Sequence, residues 1–121
     1  MRVLILTLAA FALAAQERRA LLLINSDYQK LTPRPVNAAD IDSLKAALAA
    51  AKFTVSEERN LAQGQIEKIS FLSSIKQGDT VLVYYAGYAM QSKGDNFIVP
   101  VDYDPAKTGE ATFLAQSMTG L

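Results

Sequence analysis

Histidine, cysteine and tryptophan are absent from all 121 residues. Without cysteine there is no thiol nucleophile and no disulfide, and without histidine there is no imidazole base. Zinc sites built on either side chain are excluded with them. Charge of one sign is also lacking, since Lys plus Arg and Asp plus Glu each number 12. No basic stripe is present, so a nucleic-acid partner held through phosphate contacts is not expected. No G-x-G-x-x-G follows the first predicted strand, and no G-x-x-x-x-G-K-[ST] occurs. Dinucleotide and P-loop chemistry therefore has no support, and no cofactor is expected. Asp27, Asp40, Asp102 and Asp104 match no loop of fixed ligand positions, so no metal site is expected either. Ser26, Thr32 and Ser92 have no imidazole partner from which to build a hydrolase triad.

What is present begins with a separate segment. Met1 to Ala15 reads MRVLILTLAAFALAA, with Arg2 ahead of an apolar run and small Ala12 and Ala14 at its end. VLILTL by itself can pair in a sheet, but the whole pattern is that of a secretory signal, with an uncleaved anchor as the lesser alternative. Residues 1–14 are thus expected to be cleaved after Ala14. The remainder is expected to be exported, periplasmic or secreted, with no stable membrane span.

The remaining chain alternates strand and helix patterns. Ala20 to Asn25 is a continuous apolar run, the signature of a strand buried on both faces. Ser26 to Val36, with Pro33 and Pro35, reads as a loop. Asn37 can cap a helix whose buried stripe is Ile41, Leu44, Leu48 and Ala51, with Asp40 near its positive end. Lys52 to Glu57 alternates as a second strand. Ile66, Ile69, Leu72 and Ile75 predict one second helix, closed by Gln77-Gly78. Thr80 to Ala86, TVLVYYA, is the strongest strand signal, and Gly94 to Asn96 predicts a turn before an edge strand, Phe97 to Val101. Leu44, Leu48, Ile69, Leu72, Leu82 and Tyr84 are the expected interface between the helices and the sheet.

Two strand-helix-strand units in sequence predict an α/β domain with a mostly parallel sheet. Ligands of such sheets collect at the carboxyl ends of the strands, which brings Asn25 to Tyr28 and Gly87 to Met90 to one edge. Tyr84 and Tyr85 should face opposite sides and pack under helices, whereas Tyr88 should stand at the mouth of a cleft. The candidate cleft residues are Asn25, Asp27, Asn37, Gly87 and Tyr88.

RRALLLINSDYQKL, PVNAADIDSLKAALAAAKFTV, GDTVLVYYAGYAMQ and DNFIVPVDYDP, in that order, resemble the large-subunit portion of bacterial caspase-like cysteine peptidases, the metacaspase and orthocaspase relatives. The resemblance runs from about Arg19 to Pro105. It implies a three-layer α/β fold with a mostly parallel central sheet, here truncated, over residues 19–121. It also implies a catalytic histidine in a Ser/Ala-Gly-His-Gly segment, and Ala86-Gly87-Tyr88-Ala89 places Tyr88 at that position. The nucleophilic cysteine of the family, in an Asp-x-Cys context, has no counterpart here. Asn37-Ala38-Ala39 stands where relatives often carry Asn-Asp-Ala, so Ala38 replaces an aspartate linked to basic-substrate pockets.

No catalytic residue is therefore expected in this chain, since a tyrosine cannot serve as a neutral-pH base of imidazole strength. The expected role is a non-catalytic caspase-like domain that binds a polypeptide segment or partner protein. The alternatives are the first part of a peptidase whose nucleophile-bearing half is missing, and a structural unit that self-associates through a sheet edge.

Overall fold

The computed structural model describes residues 16–66 and 68–107. The signal segment and the cleavage after Ala14 lie outside the described residues, as does the stretch after Lys107. Among the described residues, no helix is long and apolar enough to cross a membrane.

Strand β1 (Arg18–Ile24) lies at the centre of a parallel three-stranded sheet, with β2 (Thr54–Arg59) on one side and β3 (Thr80–Ala86) on the other. Its central place explains its composition, because a strand covered on both faces has no use for alternation. Ala20 through Ile24 are all buried. Ala20, Leu22 and Ile24 pack on Ile41 and Leu48 of helix α1 (Ala38–Ala50). Leu21 and Leu23 pack on the opposite face against Leu61, Phe71 and Ile98. The result is the expected α/β arrangement, with the parallel sheet as its middle layer.

Asn37 caps α1 as expected, its side-chain oxygen accepting from the Ala39 amide at 2.9 Å. The buried stripe of α1 is narrower than predicted. Ile41 and Leu48 are buried and Leu44 is partly so, but Ala51 is exposed past the last turn. The second strand starts two residues later than predicted, because Ala51 and Lys52, the latter at φ +66°, complete the turn out of α1. Lys45 of α1 pairs with Glu57 of β2, and Arg59 pairs with the same carboxylate from two residues along the strand.

The predicted second helix is two short ones, α2 (Gln63–Ile66) and α3 (Ser70–Ser73). Between them Ile69 is extended, at φ −64° and ψ 107°, which interrupts the helical ladder. Ile66 and Ile69 still reach the sheet, but Leu72 and Ile75 remain 38% and 36% exposed. The expected common interface is thus split. Leu44, Leu48, Leu82 and Tyr84 lie on the α1 face, Ile69 lies on the other, and Leu72 lies on neither. The cause is the pleat, which sends successive strand residues to opposite faces. Tyr84 and Tyr85 separate as predicted for the same reason.

After β3 the chain forms an antiparallel hairpin, β4 (Ala89–Ser92) and β5 (Asp95–Ile98). The sequence reading placed a turn at Gly94 to Asn96 and a strand at Phe97 to Val101. The turn is instead Lys93-Gly94, both at positive φ, as a two-residue hairpin loop requires. The ladder ends at Ile98, before Pro100, which has no amide to donate.

Candidate functional site at the carboxyl edge of the sheet

Three segments converge where β1 and β3 end, and a buried asparagine ties them. Asn25 is 1% exposed, and its amide hydrogen bonds to the Ala86 carbonyl at 2.8 Å. Its side-chain nitrogen donates to the Val99 carbonyl at 3.2 Å, and its side-chain oxygen accepts from the Leu61 amide at 2.9 Å. One side chain thereby binds the β1 end to the segments after β2 and β5. Asn25 is buried and holds the edge together from inside.

Asn60 performs a similar task at the surface. It adopts φ +52°, a left-handed conformation that asparagine tolerates better than most residues. Its side-chain oxygen accepts from the amides of Ser26 and Asp27, both at 3.0 Å, while its nitrogen donates to the Asp27 carboxylate at 3.0 Å. Asp27 is therefore exposed but fixed in direction.

The centre of the site is a trio of tyrosines. Tyr28 and Tyr88 meet edge to face, with ring centroids 4.8 Å apart and planes at 71°. The Tyr28 hydroxyl accepts from the Tyr88 amide at 2.8 Å and donates to the Val99 carbonyl at 3.1 Å. The Tyr85 hydroxyl donates to the Tyr88 carbonyl at 2.5 Å. Each phenol has one proton, and each is committed to a backbone carbonyl. Burial, then the adjoining Tyr28 hydroxyl, pushes Tyr85 far above the ordinary phenol range, so it stays neutral.

Gly87 threads between these hydroxyls. It sits at φ +155°, and a Cβ there would lie 2.5 Å from the Tyr85 hydroxyl and 2.7 Å from that of Tyr28. Only a residue without a side chain fits this passage. Beyond it, the Tyr88 hydroxyl donates to the Thr32 carbonyl at 3.0 Å, and the Arg34 guanidinium lies 4.5 Å from the Tyr88 ring centroid. The loop after β1 is thus latched onto Tyr88, and the Arg34 amide closes that loop on the Ser26 carbonyl at 2.9 Å.

Of the five candidate residues, Asp27, Gly87 and Tyr88 meet at this edge around Tyr28. Asn25 supports it from beneath, and the side chain of Asn37 is engaged at the N-terminus of α1. Tyr28, Arg34, Asn60 and Tyr85 complete the site without being among the candidates. For Tyr85 the alternation of β3 gave the correct face, but not the reach of its hydroxyl past the strand end. No group of three or more acidic side chains among the described residues is placed to hold a metal ion.

The arrangement places a half-buried aromatic ring, a guanidinium and a directed carboxylate on one edge. The Tyr88 amide is already bonded to the Tyr28 hydroxyl. No curated protein matches the chain. The caspase-domain family model does match, over residues 17–120. That span takes in the central parallel sheet, the helices on its faces and the tyrosine-lined edge, and the chain belongs to the caspase-domain family, peptidase C14.

Proposed function

We propose that this caspase-family domain is non-catalytic and binds a polypeptide segment at the carboxyl edge of its sheet, across Tyr88, Arg34 and Asp27. The observation that carries the reading is the state of Tyr88. At the position that the resemblance gives to the family's histidine, its ring is held between Tyr28 and Arg34, and its amide, carbonyl and hydroxyl are all hydrogen bonded. Such a residue is held in place to present a surface. The absence of histidine and cysteine from all 121 residues supports the same reading, since a thiol peptidase needs both groups. Were further sequence to supply a cysteine, Tyr88 would still stand at the position the resemblance gives to the base. Export of the domain belongs to the same proposal and rests on the Met1 to Ala15 pattern.

Fluorescein-labelled capped peptides carrying Arg, Lys or Asp are the probes. Polarisation should report saturable binding, weakened by roughly tenfold or more in Tyr88→Ala, as for an aromatic anchor. Fluorogenic versions should not be cleaved by the wild-type chain or by Tyr88→His, which would provide a base but no thiol. Cleavage that survives removal of contaminating proteases overturns the non-catalytic reading. Absence of binding across the peptide set overturns the binding reading.

A further inference from the structure

Four exposed residues, Thr32 to Pro35, cross the carboxyl edge between two that are anchored. Before them Leu31 packs on the cluster of Tyr28, Val99 and Val101. After them Val36 packs on the core beneath α1, just ahead of the Asn37 cap. Pro33 and Pro35 stiffen the strap between these anchors. Each ring fixes its own φ, and each confines the residue before it, Thr32 or Arg34, to extended backbone. Neither proline has an amide, so the strap's backbone can donate only from Thr32 and Arg34.

The Arg34 amide closes the loop on the Ser26 carbonyl at 2.9 Å. Two further tethers run to Tyr88. Its hydroxyl donates to the Thr32 carbonyl at 3.0 Å, and the Arg34 guanidinium lies over its ring, 4.5 Å from the centroid. Tyr28 meets the same ring edge to face. A peptide side chain that packs on the face of Tyr88 must therefore take the place of Arg34.

We infer that the Thr32–Pro35 strap is an autoinhibitory latch. In the free chain Tyr88 holds the strap shut over its own ring, and a bound peptide lifts it, uncovering the ring and leaving Arg34 at the flank. The inference rests on the peptide-binding reading above and adds the regulation of that site. Both tethers are of a kind that opens readily, one hydrogen bond to an exposed segment and one exposed cation–π stack. The parts beneath do not depend on them. Tyr28 keeps its bonds to the Val99 carbonyl and the Tyr88 amide, and Tyr85 keeps its bond to the Tyr88 carbonyl, so the ring stays in place when the strap lifts.

Tyr88→Phe tests the latch, since it removes the hydroxyl and keeps the ring. Amide hydrogen exchange at Arg34 should quicken by roughly threefold to tenfold, the worth of one hydrogen bond. Gln29, whose amide bonds to the Val101 carbonyl outside the strap, and Leu22 in β1 should keep their wild-type rates. In polarisation with the labelled peptides, Tyr88→Phe should bind roughly threefold to tenfold more tightly than wild type, because the latch bond no longer has to break. That change is opposite in sign to the one expected of Tyr88→Ala, which loses the ring as well. Unchanged exchange at Arg34, or quickened exchange with binding no tighter than that of wild type, overturns the inference. Quickened exchange with no peptide bound by either protein upholds the latch and overturns only the peptide-binding reading.

Discussion

The hydroxyl of Tyr85 donates to the backbone carbonyl of Tyr88 at 2.5 Å, across the turn at Gly87. Through this bond a residue inside β3 sets the position of the loop residue three places later. The same carbonyl accepts from the Val99 amide at 3.0 Å, so the loop is also tied to the end of β5. The direction of the Tyr88 ring follows from these backbone restraints, and not from its own side-chain contacts alone.

Gly87→Ala should destabilise the domain by about 1–3 kcal/mol, since it strains a left-handed φ and drives a methyl into two hydroxyls. Tyr85→Phe removes the nearer oxygen and one hydrogen bond, at about 0.5–1.5 kcal/mol by itself. The double variant should then be less destabilised than the sum of the singles. Urea denaturation of the four proteins measures the coupling, and strict additivity would mean that the methyl does not meet Tyr85.

Asn25→Leu should be more damaging than its modest change in volume suggests. It leaves the Leu61 amide without its partner in a buried site, at about 1–3 kcal/mol, while the Val99 carbonyl keeps the Tyr28 hydroxyl. Amide hydrogen exchange at Leu61 should accelerate well beyond that at Leu22 in the same variant. Equal acceleration at both positions would show global unfolding in place of local release.

Two leucines on adjacent strands separate burial from strand identity. Leu22 of β1 is fully buried, and Leu22→Ala should cost about 2–5 kcal/mol. Leu82 of β3 is partly exposed, so Leu82→Ala should fall below that range. Chemical denaturation midpoints rank the two, and a reversed order would place the core on the β3 side.

Two carboxylates should shape the acid limb of the stability curve. The hydrogen bond from Lys45 holds Glu57 below the ordinary carboxylate range, with Arg59 adding to the effect. The amides of Lys76 and Glu17 lower Asp79 in the same direction. A carboxyl that is more acidic in the folded state contributes stability above its unfolded pKa, and that contribution is lost as pH falls through the folded value. Stability should therefore be level above about pH 5 and decline below it. Glu57→Gln and Asp79→Asn should each flatten the decline, as read from melting temperature against pH. An unchanged acid limb in both variants would assign the decline to other groups.

The sequence by itself determined the architecture and its order. An apolar run without alternation specified the buried central strand, Asn37 specified a helix start, and the absence of histidine and cysteine closed thiol chemistry to this chain. These features are local or compositional, so they survive without knowledge of what packs where. The break at Ile69 and the hairpin at Lys93-Gly94 were not legible, because neighbours outside the local pattern decide them. The site itself was decided only in three dimensions. Asn25 and Asp27 look alike as polar residues after a strand, yet one is enclosed by Leu61 and Val99 and the other is held outward by Asn60. Tyr28, Tyr85 and Tyr88 gather because β1 and β3 are neighbours in the sheet, a pairing between segments about sixty residues apart. Long-range pairing of this kind leaves no period in the chain, so only the folded structure could bring those hydroxyls together around Gly87.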